Sequence, residues 1–171
     1  MATQESKKFL AKPFDELTPT ELENRKKFDC GEQSLNEYIQ KNMRKHDNKN
    51  ISKSFIYTDG NGAIVGYYTI TIAMVDFANI PTRISTTQKY PTHQLPVISL
   101  ARLAIDKKYQ GQKFGSLLLA EVIAKALSAV KTVGGVCLVV EALHERAAAF
   151  YRAYGFESSP SDPLHLYLGM V

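Results

Sequence analysis

With 171 residues, 44% apolar and 22% charged, the chain holds enough apolar sequence for one buried core and too much for a disordered polymer. No apolar run approaches the roughly 20 residues of a membrane span, and the opening MATQESKKFLAKPFDE lacks the apolar stretch of a secretory signal. Two cysteines, Cys30 and Cys137, exclude a disulfide framework and leave a reducing, cytoplasmic address as the expectation, while a net charge of +4 says little until its distribution is read.

In chain order, residues 1–27 read as a polar lead-in, with Pro13 and Pro19, to a single domain spanning 1–171. FDCGEQSLNEYIQKNMRKH, 28–46, predicts a helix: Asp29 and Glu32 have capping-box spacing, and Leu35, Tyr38, Ile39 and Met43 share one face. SFIYT, DGNG and AIVGYYTITIAMV then predict a hairpin with a Gly/Asn turn. An irregular stretch over 76–95 follows, bordered by Pro81, Pro91 and Pro96. LPVISLARLAI is a strand, QGQKFG its exit, and Leu117 through Val130 recur at helical spacing. VGGVCLVVEAL is a buried strand, ERAAAFYRAY a helix ended by Gly155, and LHLYLGM an alternating last strand. The sum is a mixed α/β domain without internal repeats.

Charge is concentrated between residues 41 and 53, where Lys41, Arg44, Lys45, Lys49 and Lys53 face one acid, Asp47. Such a face fits an anionic partner, nucleic acid or a phosphorylated small molecule. A solvated helix-and-loop surface is the bland alternative. A second anion signal is YQGQKFGSLL, 109–118, between a strand and a helix. A helix entered this way leaves its first N–H groups unpaired at the positive end of its dipole, and glycines let a ligand approach the backbone. Two glycines in a turn fit an ordinary connection equally well.

LARLAIDKKYQGQKFGSLLLAEVIAKAL followed by VVEALHERAAAFYRAYGF resembles the GNAT family of acetyl-coenzyme A-dependent N-acetyltransferases. The resemblance covers roughly residues 50–170. It implies a GNAT fold: a mixed, mostly antiparallel central sheet flanked by helices, with the coenzyme at a strand–helix turn. It places Leu103, Ala104 and Ile105 on the acetyl group, and Gln110, Gly111, Gln112, Lys113, Phe114, Gly115 and Ser116 on the pyrophosphate. In the family's Q/R-x-x-G-x-G/A turn, Gln110 and Gly115 match, while Lys113 replaces the middle glycine. Because the donors are amides, the turn is expected to work with a lysine, whose φ would be negative in the first turn of a helix. The pattern FDCGEQSLNEYI, GYYTIT, RLAID and AAAFYRAYGF looks in particular like GNAT toxins of bacterial toxin–antitoxin pairs. That implies an aminoacyl-tRNA acceptor bound by Lys41, Arg44, Lys45 and Lys49, a ribbon–helix–helix antitoxin, and a homodimer.

Tyr151 falls at the family's tyrosine that protonates the departing thiolate. A phenol with a pKa of about 10 stays protonated at neutral pH and suits a general acid, against a core-packing alternative for an aromatic residue on an Ala-rich helix. Tyr154 reads as packing. His144 stands where relatives carry a coenzyme-touching asparagine; it fits a hydrogen-bonding group, a base or a polar helix entry. Glu141 fits a water-linked proton relay or a surface acid. His46, His93 and His165 show no metal-ligand clustering, so no metal is expected, and Cys30 lacks a base partner for nucleophilic work. The implied reaction is direct transfer, with RLAI amides on the oxyanion and Tyr151 on the sulfur. Lack of a dedicated base favours an α-amine, with a pKa of about 8, over a lysine near about 10.4. Two rival readings are an acetyltransferase of a small amine or protein N-terminus, and a non-catalytic coenzyme-sensing or partner-binding module.

Overall fold

Threonine and glutamate near the start of the chain fix the first α-helix. The computed structural model covers residues 11–85 and 93–170. Strand β1 (Lys12–Pro13) pairs antiparallel with β2 (Lys53–Thr58), and helix α1 (Pro19–Asn24) follows. Its entry is a reciprocal capping box: Thr18 Oγ1 accepts from Glu21 N–H at 3.2 Å while Glu21 Oε1 accepts from Thr18 N–H at 2.9 Å. Burial alone would push the Glu21 carboxyl up, but hydrogen bonds from Lys12, the Thr18 amide and Thr58 hold it at about 2. Residues 11–27 are therefore more than a polar lead-in, since Phe14 and Leu17 enter the core; residues 1–10 lie outside the described chain.

The expected helix over 28–46 exists as three consecutive pieces: α2 (Gln33–Glu37), a π turn (Tyr38–Asn42) and α3 (Met43–Asn48). Tyr38, Ile39 and Met43 are buried and Leu35 packs against them, as the periodicity predicts. The capping box at Asp29 and Glu32 does not form. Glu32 is the N-cap but its side chain makes no capping hydrogen bond, and Asp29 Oδ1 instead accepts from Gly31 N–H and Asn36 Nδ2. A π turn releases carbonyls from the helical ladder; Arg25 Nη1 donates to Ile39 O at 2.8 Å and satisfies one of them.

β2 and β3 (Ile64–Asp76) are the predicted hairpin strands, joined where Asp59 Oδ1 accepts from Asn61 and Ala63 N–H. The irregular stretch contains a short helix, α4 (Thr82–Ser85); its residues 86–92, with Pro91, lie outside the described chain. β4 (Gln94–Ile105), α5 (Phe114–Val133), β5 (Cys137–Glu141), α6 (Glu145–Arg152), β6 (Glu157–Ser158) and β7 (His165–Gly169) complete the order. The sheet runs β1-β2-β3-β4-β5-β7-β6. β4 and β5 are parallel, Ile98 opposite Leu138, whereas β7 is antiparallel to both β5 and β6. No helix among the described residues is long and apolar enough to cross a membrane.

The described residues fall into two compact units, 11–69 with 102–121, and 70–85 and 93–101 with 122–170. The first is centred on Phe28, Tyr38, Ile39, Met43, Ile56 and Tyr67, the second on Ile80, Leu95, Val97, Cys137 and Tyr167. Cys137 is fully buried and burial pushes its thiol up to about 12, so it is a packing residue.

Candidate active site

In the first unit, β4 delivers Leu103, buried Ala104 and Ile105, then a tight turn over Lys107–Tyr109, then the run Gln110–Lys113 into α5. The first helical bond is Leu117 N–H to Lys113 O at 3.2 Å. Helix geometry thus leaves the N–H groups of Lys113, Phe114 and Gly115 outside the ladder of a 20-residue helix. Gly111 has φ +77 and nothing within 4 Å of where a Cβ would stand, so the backbone is open to a ligand there. A cluster of amides at a helix N-terminus with room above it fits a pyrophosphate.

Lys113 departs from expectation. Its φ is +67, in the left-handed region, not negative. It precedes the helical ladder rather than lying in its first turn, and the chain needs a left-handed residue to turn into α5. That is the physical reason a glycine suits the position, and a lysine there costs roughly 1–2 kcal/mol. The turn keeps its amides, and the Lys113 side chain is exposed.

Side chains in the turn serve the protein. Gln110 Nε2 donates to Ile105 O at 2.8 Å and to Cys30 O at 2.9 Å, Gln112 Nε2 donates to Lys108 O, and the Phe114 ring packs on Tyr57 and Tyr109. Two residues that the motif does not mark hold this region. Asp106, 7% exposed, accepts from Asp29 N–H and Lys108 N–H, while Lys107 N–H donates to Asp29 O. Gly66 faces β4: a Cβ there would lie 2.7 Å from Ala104 O and 2.6 Å from Ile105 Cδ1. The sequence signal for it is a lone glycine inside the β-rich run IVGYYT.

The second unit carries Tyr151 and His144 on α6. Tyr151 is 6% exposed, its ring edge-on to Phe150 and Phe156, and burial pushes its phenol up, so it holds its proton across the physiological range. Its hydroxyl makes no hydrogen bond to the described residues. His144 is the N-cap: Nδ1 accepts from Ala147 N–H at 3.1 Å, which removes that nitrogen as a base. Tyr154 is 42% exposed, with its ring edge-on to Phe150. Glu141 lies at the end of β5 beside His165, 3.4 Å from Nε2.

Lys41, Arg44, Lys45 and Lys49 are all exposed and form no ion pair among the described residues. Lys53 is different: it pairs with buried Asp47 at 3.5 Å and belongs to the fold. Cys30 is half-buried, and burial raises its thiol pKa, against a nucleophilic role. Among the described residues no group of three potential ligands could hold a metal ion.

Residues 50–158 match the acetyltransferase (GNAT) domain family. A tRNA-acetylating toxin of Mycobacterium tuberculosis is 39% identical over 143 residues, 84% of each chain. Among solved structures, AtaT complexed with acetyl-methionyl-tRNAfMet superposes with a TM-score of 0.77 at 31% identity, covering 85% of this chain and 86% of that one. A tyrosine-to-phenylalanine mutant of the AtaT toxin, bound to the C-terminus of the antitoxin AtaR and acetyl-CoA, gives 0.70 at 28% identity over 85% of each chain.

Proposed function

Because the chain belongs to the GNAT acetyltransferases, we propose that it acetylates the α-amino group of aminoacyl-tRNA and so blocks translation as the toxin of a toxin–antitoxin pair. The likeness to a tRNA-acetylating toxin along 84% of the chain is the observation that supports this most. Four exposed cations on one segment, without an ion pair among the described residues, agree with a polyanionic acceptor. The whole chain acts as one acetyltransferase domain in the cytoplasm, as a homodimer neutralised by a ribbon–helix–helix antitoxin.

Acetyl-CoA, when bound, supplies the acetyl thioester. Amides of the Gly111–Ser116 run and the Lys113 ammonium take its pyrophosphate, the main chain of Leu103–Ile105 takes the acetyl carbonyl oxygen, and the residue at 144 borders the pantetheine. Tyr151 holds a proton at Oη for the departing sulfur, and its raised pKa keeps that proton in place. Substrate chemistry lightens the remaining step, since an α-amine loses its proton at about pH 8.

The test uses acetyl-CoA labelled in the acetyl group with charged tRNA, deacylated tRNA and lysine-containing peptide. Label is expected in charged tRNA only, released as N-acetyl-amino acid on mild base treatment. Labelling of peptide but not of charged tRNA would overturn the tRNA reading while leaving the acetyltransferase.

A further inference from the structure

The Arg102 side chain has no part in the reaction as proposed. It stands on β4 directly before Leu103, and its guanidinium carbon lies 3.6 Å from the centroid of the Tyr38 ring, well within cation–π reach. The platform is fixed: Tyr38 is 2% exposed, its hydroxyl is 3.0 Å from Ser52 Oγ, and its ring stacks with Tyr67 at 6.3 Å and meets His46 edge-on at 5.4 Å. The Tyr67 hydroxyl donates to Leu35 O.

Arg102 is half-buried, yet among the described residues its guanidinium has no carboxylate and no hydrogen-bond acceptor. Arg25 shows what the same fold does with a structural arginine. It too lies over a ring, Phe14 at 5.1 Å, but it donates to Leu22 O and Ile39 O. A partly desolvated cation without an anion is costly unless a ligand completes it. Stacking on the face of Tyr38 leaves the in-plane N–H fork of Arg102 open, and that fork matches a phosphate bidentately.

Position decides whose phosphate. The coenzyme turn follows Ile105, whereas Arg102 precedes the acetyl-side residues. Tyr38 belongs to the helical stretch that carries Lys41, Arg44 and Lys45. Arg102 therefore packs against the helical stretch that carries those cations, on the strand on which acetyl transfer is placed. We propose that Arg102, seated on Tyr38, grips a phosphodiester of the acceptor's terminal nucleotides and so sets the specificity for an amine carried on a nucleic-acid end. This rests on the aminoacyl-tRNA reading and deepens it.

Two acceptors test it: a short aminoacylated oligonucleotide, and an aminoacyl-nucleoside without phosphate. For Arg102→Gln, kcat/KM on the oligonucleotide is expected to fall ~10–100-fold, and its salt slope to drop by about 0.7. Activity on the phosphate-free acceptor and the KM for acetyl-CoA should stay within threefold. Arg102→Lys, which keeps the cation on the ring and loses the fork, should lie between and serves if the glutamine variant does not fold. Equal losses on both acceptors, unchanged kinetics, or a loss confined to acetyl-CoA would each overturn the proposal. Binding of the uncharged oligonucleotide, followed by the Arg102 Nε–H resonance, separates the two ideas. A shift without wild-type turnover would leave the phosphate site standing and overturn the tRNA reading; no shift would overturn the site.

Discussion

The turn into α5 and the helix α6 present opposite ways of building a site. In the turn, Gln110 and Gln112 are tied to main-chain carbonyls and Phe114 to two tyrosines, so what faces a ligand is backbone. On α6 the backbone is internally bonded, His144 Nδ1 caps the helix, and the group proposed to act is the hydroxyl of a buried ring, Tyr151. A backbone site tolerates changed side chains as long as its φ angles survive, which is how a lysine stands where the motif has glycine. A side-chain site has no such reserve.

The sharpest way to break this contrast is Tyr151→Phe. It removes one oxygen that bonds to no described residue and leaves the ring packing on Phe150 and Phe156, so melting temperature and acetyl-CoA affinity should barely change. Acetyl transfer should slow by ~10²–10⁴-fold, and expression without an antitoxin should become harmless. Near-normal turnover by a folded, coenzyme-binding variant would make Tyr151 a packing residue. The acid role also has a pH signature. The phenol's pKa is raised, so its proton is lost only above the ordinary range near pH 10, and no alkaline fall in kcat below that should trace to Tyr151.

Replacing Lys41, Arg44, Lys45 and Lys49 together by alanine comes next in expected size. Affinity for tRNA should fall and its salt dependence flatten by about 0.9 slope units or less per lost contact, with acetyl-CoA affinity constant. Loss of coenzyme affinity alone would assign the cluster to the cofactor.

Gly66→Ala probes the backbone side of the contrast. Its Cβ would meet Ala104 O at 2.7 Å, main chain that cannot swing away, so destabilisation of about 1–3 kcal/mol is expected in urea unfolding. The smallest effect is expected at Lys113→Gly, where relief of a positive φ is offset by glycine's greater freedom in the unfolded chain. Stability should change by less than about 1 kcal/mol, and acetyl-CoA affinity should stay equal or weaken. A large affinity gain on titration would show that the lysine damages the turn.

Much of this protein was legible before any coordinates, because periodicity and turn chemistry are local. The alternation in SFIYT and IVGYYT, the helical spacing from Leu117 to Val130, and Gly155 after α6 all report short-range geometry that the fold then uses. The paired motifs drew attention to the 109–118 turn and to Tyr151 for the same reason, since each lies in a contiguous stretch. What sequence could not supply is whatever depends on partners far along the chain. Asp29 looked like a cap until Asn36, Gly31 and the turn at 106–107 claimed its polar atoms. Lys53 looked like one more cation of the basic face until buried Asp47 paired with it. The left-handed φ of Lys113 follows from how the chain must turn into α5, which no residue preference for lysine would foretell. Arg102 is one arginine in a strand to the sequence; only packing set it on the ring of Tyr38, 64 positions earlier in the chain, and left its donors without an anion.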